Sequence, residues 1–328
     1  MALIWRVYVL CPSLRKIDLS NVVGLTPSEW YQLGELYGGQ LYWLNVSGCR
    51  LDEKTLRIII KGCHKLRYLN ISNNFSKLEG GCLEMISDQI ETVIVDYSQN
   101  VRTLDGLLQG HGRKIIELEA NVGFCFNPSM AYRLIGTHLR DLISLKITFK
   151  SYGERKAPNL FASLAELSDL EALHLIEEID DFDSQSSLDD DSVLTIFKSL
   201  GTKLRELRLH ASSSLFGGSS CLTDRSISEI DILAPNLEVL SIKRAAITDK
   251  SLASIARLRY AHTVELIDLE NISDSGVLSI MKSFRIIEHN ELEHLSRKFG
   301  VDLNLSRDSG PKIEKMTRSG SISEGAGI

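Results

Sequence analysis

The chain has 328 residues, 24% charged and 43% hydrophobic, with 37 Lys and Arg against 43 Asp and Glu for a formal net charge of −6. That balance lacks the basic footprint of a nucleic-acid binder, and the apolar content is too high for a disordered chain. No 18-residue stretch is free of charge, so no membrane-spanning helix is expected. Six scattered cysteines without a C-x-x-C pair fit neither a disulfide scaffold nor a zinc site, and suggest reduced thiols in a cytoplasmic or nuclear protein.

In chain order, the first segment, 1–10, is apolar but contains Arg6 and lacks a small-residue cleavage site, which makes it a poor signal peptide. Shifted by 52 residues it matches the third unit, with Ile4 on Leu56 and Cys11 on Cys63, so it reads as the outer helix of a repeat whose own strand is missing. Strands follow at regular intervals under the pattern L-x-x-L-x-L. They fall at Leu14/Ile17/Leu19, Leu41/Leu44/Val46, Leu66/Leu69/Ile71, Ile90/Val93/Val95, Ile115/Leu118/Ala120, Leu142/Leu145/Ile147, Leu170/Leu173/Leu175, Leu204/Leu207/Leu209, Leu237/Leu240/Ile242 and Val264/Ile267/Leu269. Successive starts differ by 27, 25, 24, 25, 27, 28, 34, 33 and 27 residues, a leucine-rich-repeat period with two loop insertions.

After the strands, Leu51-Asp52-Glu53, Leu188-Asp189-Asp190, Leu222-Thr223-Asp224, Ile247-Thr248-Asp249 and Ile272-Ser273-Asp274 share one template. Asp, Ser or Thr at this place accepts the free amide hydrogens of a helix start, and the acid suits the positive end of the helix dipole. Each unit is therefore a short parallel strand, a turn and a helix on the outside.

The insertion 177–192 carries eight acidic residues and no basic ones, and is expected to be a mobile loop in which Ser186 and Ser187 precede acids at a spacing that acid-directed kinases favour. The segment 212–220, with Gly217-Gly218, is a second flexible insertion. Helix is expected within 277–299, a last short strand at 301–305, and a disordered tail over 306–328. The domain organisation is thus one repeat domain over 1–305 with its first repeat truncated, followed by the tail.

Before several strands stand Cys11-Pro12-Ser13-Leu14, Cys63-His64-Lys65-Leu66 and Ala234-Pro235-Asn236-Leu237, and Ser47-Gly48-Cys49 follows one. A buried thiol acts as a small hydrophobe, so a tight helix-to-strand junction accepts Cys or Ala. These segments resemble the cysteine-containing leucine-rich repeats of F-box/LRR substrate receptors in SCF ubiquitin ligases. The resemblance implies a right-handed α/β leucine-rich-repeat solenoid, a ribonuclease-inhibitor-like horseshoe with a parallel sheet on its concave face. It also implies recognition of a protein substrate, with Skp1 engaged only through an F-box upstream of this chain. The alternative is a repeat adaptor or scaffold without an F-box, in a cell-cycle or DNA-repair complex. A small-ligand receptor is a weaker third reading, since no single repeat shows a basic pocket.

Residues alternating with the core leucines point to the concave face. They place Trp43, Asn45, Tyr68, Asn70, Asp96, Glu119, Lys146, His174, Arg208, His210 and Lys243 as candidate partner-binding residues, with Asp268 and Glu270 on the last strand. The face is expected to be acidic at the fourth and fifth strands and basic from the sixth to the ninth, with Trp43 and Tyr68 as an aromatic anchor. No P-loop, G-x-G-x-x-G, H-E-x-x-H or G-x-S-x-G motif is present, so neither enzymatic activity nor a cofactor or metal is expected.

Overall fold

The computed structural model describes residues 3–74, 81–96, 107–108, 114–122, 128–150, 161–178, 186, 188–211, 222–283 and 303–306. Among them the strands are β1 (Lys16–Asp18), β2 (Trp43–Asn45), β3 (Tyr68–Asn70), β4 (Thr92–Asp96), β5 (Glu117–Asn121), β6 (Ser144–Lys150), β7 (Ala172–Glu178), β8 (Glu206–His210), β9 (Val239–Lys243), β10 (Thr263–Ile267) and β11 (Leu303–Ser306). They form one sheet in chain order. The first ten are parallel, and β11 returns antiparallel along the outer edge of β10. Parallel neighbours need crossover connections, and the helices supply several of them. The helices are α1 (Leu3–Leu10), α2 (Pro27–Tyr37), α3 (Glu53–Gly62), α4 (Pro128–His138), α5 (Asp190–Leu200), α6 (Asp224–Ile227), α7 (Ile230–Leu233), α8 (Asp249–Ile255) and α9 (Asp274–Ser283), with 3₁₀ turns at Leu83–Met85 and Ala162–Glu166. The class is an α/β leucine-rich-repeat solenoid.

One continuous apolar core runs between sheet and helices, built from the repeat leucines and from larger fillers such as Tyr37, Tyr132, Phe149 and Phe161. The predicted strand triads lie in it, or at the first strand pack against it through the partly buried Leu14 and Leu19, with one exception. Val264 pairs with Leu240 and Leu266 with Ile242, so the tenth unit is Ala261/Val264/Leu266, three residues earlier than expected. Its start then follows that of the ninth by 24 residues, from 237 to 261. Two overlapping apolar triads exist here, and the one with the small Ala at its head is the one that packs. Backbone geometry agrees. Asn21, Gly48, Asn73, Arg244 and Asp268, each four residues past the central core residue of its strand, share a positive φ between 54° and 68°. Asp268 is therefore a turn residue. Asp268 and Glu270 lie outside the strand, and Glu265 and Ile267 take their places on the sheet.

Among the described residues Cys11, expected as a buried thiol at a tight helix-to-strand junction, is exposed. Cys49, Cys63 and Cys82 are buried free thiols. The Cys49 thiol donates to the Leu19 carbonyl (2.9 Å), and burial pushes the Cys63 thiol up to about 12. In the next unit Asn74 does the work of Cys49. Its amide donates to the carbonyls of Val46 (3.0 Å) and Ile71 (2.8 Å) and its carbonyl accepts from Leu51 N (3.0 Å), which closes backbone groups where the strand ends.

The described ends of the acidic insertion are anchored. Its first residues belong to β7, where the buried Glu177 accepts a hydrogen bond from the buried Ser186 hydroxyl (2.5 Å). Leu188 is buried, and Asp189 caps α5 by accepting from Ser192 N (2.9 Å). Residues 179–185, Ser187, 212–220 and 307–328, with the expectations placed on them, lie outside the described residues. No described helix is long and apolar enough to cross a membrane.

Candidate partner-binding face on the concave sheet

Register sets the sheet's free face in three rows. The first runs Lys16, Trp43, Tyr68, Thr92, Glu117, Ser144, Ala172, Glu206, Val239, Thr263. The second runs Asp18, Asn45, Asn70, Ile94, Glu119, Lys146, His174, Arg208, Ser241, Glu265, and the third ends in His210, Lys243 and Ile267. Asp96 stands at the end of β4 opposite Asn121. All eleven sequence-selected residues thus lie on strands of one sheet, in two of these rows or in the first with the aromatic pair.

At the first strands the Trp43 and Tyr68 rings stack with centroids 4.6 Å apart and planes 11° from parallel. This follows from adjacent strands carrying aromatics in direct register. The Lys16 ammonium sits 5.5 Å from the Tyr42 ring centroid. Asn45 donates to Asp18 (3.2 Å), and Asn45 and Asn70 each accept from the backbone N–H two residues on, Ser47 and Ser72 (3.0 Å). Hydrogen bonds from Ser20, chiefly from its backbone, hold the Asp18 carboxyl below its usual range.

The other half of the face is a charge network. Lys146 pairs with Glu119 across β5 and β6. His174 Nε2 lies 2.9 Å from Glu206, which also accepts from Arg208 Nε (2.8 Å), and Arg208 Nη1 reaches Glu265 two strands away (2.8 Å). The arm of Arg208 passes over Ser241, whose small side chain is fully buried and bonded to His210 Nε2 (2.9 Å). Burial lowers the His174 pKa, outweighing Glu206, so a neutral imidazole lies against the carboxylate. His210 is lowered to about 4 by burial, then by Lys243 and Arg208. Burial alone would raise Glu206, but Arg208 and His174 together hold its pKa low.

This overturns the expectation of opposite acidic and basic halves. Lys146 is neutralised by Glu119 on the adjacent strand, and Arg208 by Glu206 on its own strand and Glu265 two strands away, while both histidines are uncharged near neutral pH. Lys243 has no ion-pair partner among the described residues. Glu206 and Glu265 escaped the sequence reading. Glu206 stands on the row of Trp43 and Tyr68, one register step before the row of Arg208, and the three-residue shift of the tenth unit puts Glu265 on the face. Among the described residues no group of three or more metal-ligating side chains exists.

No family model matches the chain, and no curated protein matches it. Among solved structures, a chain of the yeast Rad7–Elc1 complex is similar at 17% identity, over 83% of this chain and 74% of that one, with a TM-score of 0.52. The internalin InlF of Listeria monocytogenes is similar at 15% identity over 77% and 68% (TM-score 0.47), and the leucine-rich-repeat protein LegL7 of Legionella pneumophila at 16% over 87% and 91% (TM-score 0.47). At such identities the likeness is one of fold.

Proposed function

We propose that the chain is a protein-interaction module whose concave sheet receives a protein partner, in the concrete role of substrate recognition for an SCF-type ubiquitin ligase. One observation carries the interaction reading: the face is pre-ordered. The stacked Trp43–Tyr68 pair and the linked His174–Glu206–Arg208–Glu265 network hold their side chains in place before any ligand arrives. Ordering such groups in advance cuts the entropic cost of binding. Aromatic and arginine side chains in partly buried settings are also the usual hot spots of protein interfaces.

The ligase role rests on the resemblance of the cysteine-bearing repeats, the second reading is a repeat adaptor without an F-box, and the fold likeness to a chain of the Rad7–Elc1 complex supports protein interaction without favouring either. The complete coding sequence upstream of Met1, expressed with Skp1, separates the two. An F-box there with co-purifying Skp1 supports the ligase role, and absence of both leaves the adaptor. For the face itself, replacing Trp43 and Tyr68 with Ala should weaken partner binding by about 2 kcal/mol or more. Unchanged affinity in calorimetry would move the site off the concave sheet.

A further inference from the structure

A second surface lies on the rim where the chain passes from helix to strand. Between the lead-ins to β6 and β10 runs an open groove of about 730 Å³. An exposed apolar side chain stands at each end, Ile143 (42% exposed) before β6 and Tyr260 (61% exposed) before β10. Between them the lining carries the carboxylates of Asp141, Asp169, Glu171 and Glu238 against two cations, Lys203 and Arg205. Arg205 bridges Glu171 and Glu238, and Lys203 pairs with Asp169 (3.6 Å), while Asp141 has no ion-pair partner among the described residues. Exposed pairs of this kind hold weakly and share their oxygens readily with an incoming cation. The groove therefore has an acidic surplus between two apolar posts.

We propose that this rim groove binds an extended basic segment of a partner protein, with apolar side chains at both ends and Lys or Arg between. The spacing sets its length. β6 to β10 is four strand intervals, about 19 Å, and an extended chain rising about 3.3 Å per residue covers that in about six steps. In a seven-residue segment the odd positions share one face. The first and seventh then meet Ile143 and Tyr260, and the third and fifth meet the acids.

Fluorescence anisotropy tests this on the full chain with the fluorescein-labelled peptide Leu-Ser-Lys-Ser-Arg-Ser-Leu and its phase-shifted isomer Leu-Lys-Ser-Arg-Ser-Ser-Leu. The first should bind at least about fivefold more tightly, a difference of about 1 kcal/mol, and more weakly as salt rises. Ile143→Ser, Tyr260→Ser and Glu171→Lys, all at exposed or rim positions, should each weaken it by a similar or larger factor, whereas Ala at Trp43 and Tyr68 should leave it unchanged. Equal affinity for the two peptides, no saturable binding of the first, or indifference to the rim variants overturns the proposal.

Discussion

Arg208 is the residue that holds the concave network together. It is the shared cation between Glu206 and Glu265, and its side chain is 28% exposed. Truncating it to Ala leaves two half-buried carboxylates facing each other without a counter-charge, which should cost about 1–3 kcal/mol in denaturant unfolding. Lys in its place should recover little, because an ammonium cannot serve two carboxylates from a fixed fork. Neutral His210 makes a second prediction. Its folded value near 4 lies below the ordinary 6.5, so the unfolded chain takes up the proton first as acid is added. Stability should therefore fall between about pH 6.5 and pH 4, and less steeply in His210→Gln. An NMR titration finding the ring with a pKa near 6.5 would contradict this burial. None of these partnerships was legible in the sequence, since Arg208 and Glu265 are 57 residues apart and meet only through register and the smallness of Ser241.

At the scale of the element, the helix starts carry more than their caps. The expected capping is present, as where Asp52 accepts from Thr55 N (2.8 Å), and α2, outside the template, starts with a reciprocal capping box of Thr26 and Glu29. The acid after the cap has a second task across the repeat boundary. Asp190 accepts from Thr223 N (2.9 Å), the Thr223 hydroxyl (2.5 Å) and the Ser226 hydroxyl (2.6 Å). Asp224 does the same for Thr248 and Ser251, and Asp249 for Ser273. The template showed which residues recur but not that each acid serves the next unit, because that requires two helix starts to lie side by side. Burial alone would raise Asp224, yet the hydrogen bonds from Ser251 and Thr248 together hold it below 3.8. Its stabilisation is thus present above that value and lost as pH falls through the lower folded one. Asp224→Ala should cost about 1–3 kcal/mol at neutral pH, with a shallower acid limb in a thermal-melt series. Glycine makes the other joint. A Cβ on Gly34 would sit 2.7 Å from Gly62 Cα, and one on Gly62 would sit 2.5 Å from Gly34 Cα, so α2 and α3 cross with backbones in contact. Ala is the better helix former by about 1 kcal/mol, but forcing two helices apart costs about 1–3 kcal/mol. Gly34→Ala and Gly62→Ala should therefore lower the melting temperature, and a rise would show that the helices separate freely.

Over the whole molecule, periodicity gave the architecture and nine of the ten parallel strand registers. It could not give strand length. β1, β2 and β3 have three residues each, whereas β6 and β7 have seven. In a solenoid each repeat is held mainly by its neighbours, so opening free energy should follow local ladder length. Hydrogen exchange should find the slowest amides in β6 and β7 and faster ones in β1 to β3; uniform protection along the chain would indicate one all-or-none unit. The acid-to-cap joints also bear on how such a chain can lengthen. A block running from Asp224 to Thr248 begins with the accepting half of a joint and ends with the donating half. A second copy inserted in frame after Thr248 would meet matching halves at both junctions, so tandem duplication of that stretch of coding sequence adds a repeat without requiring any new contact chemistry.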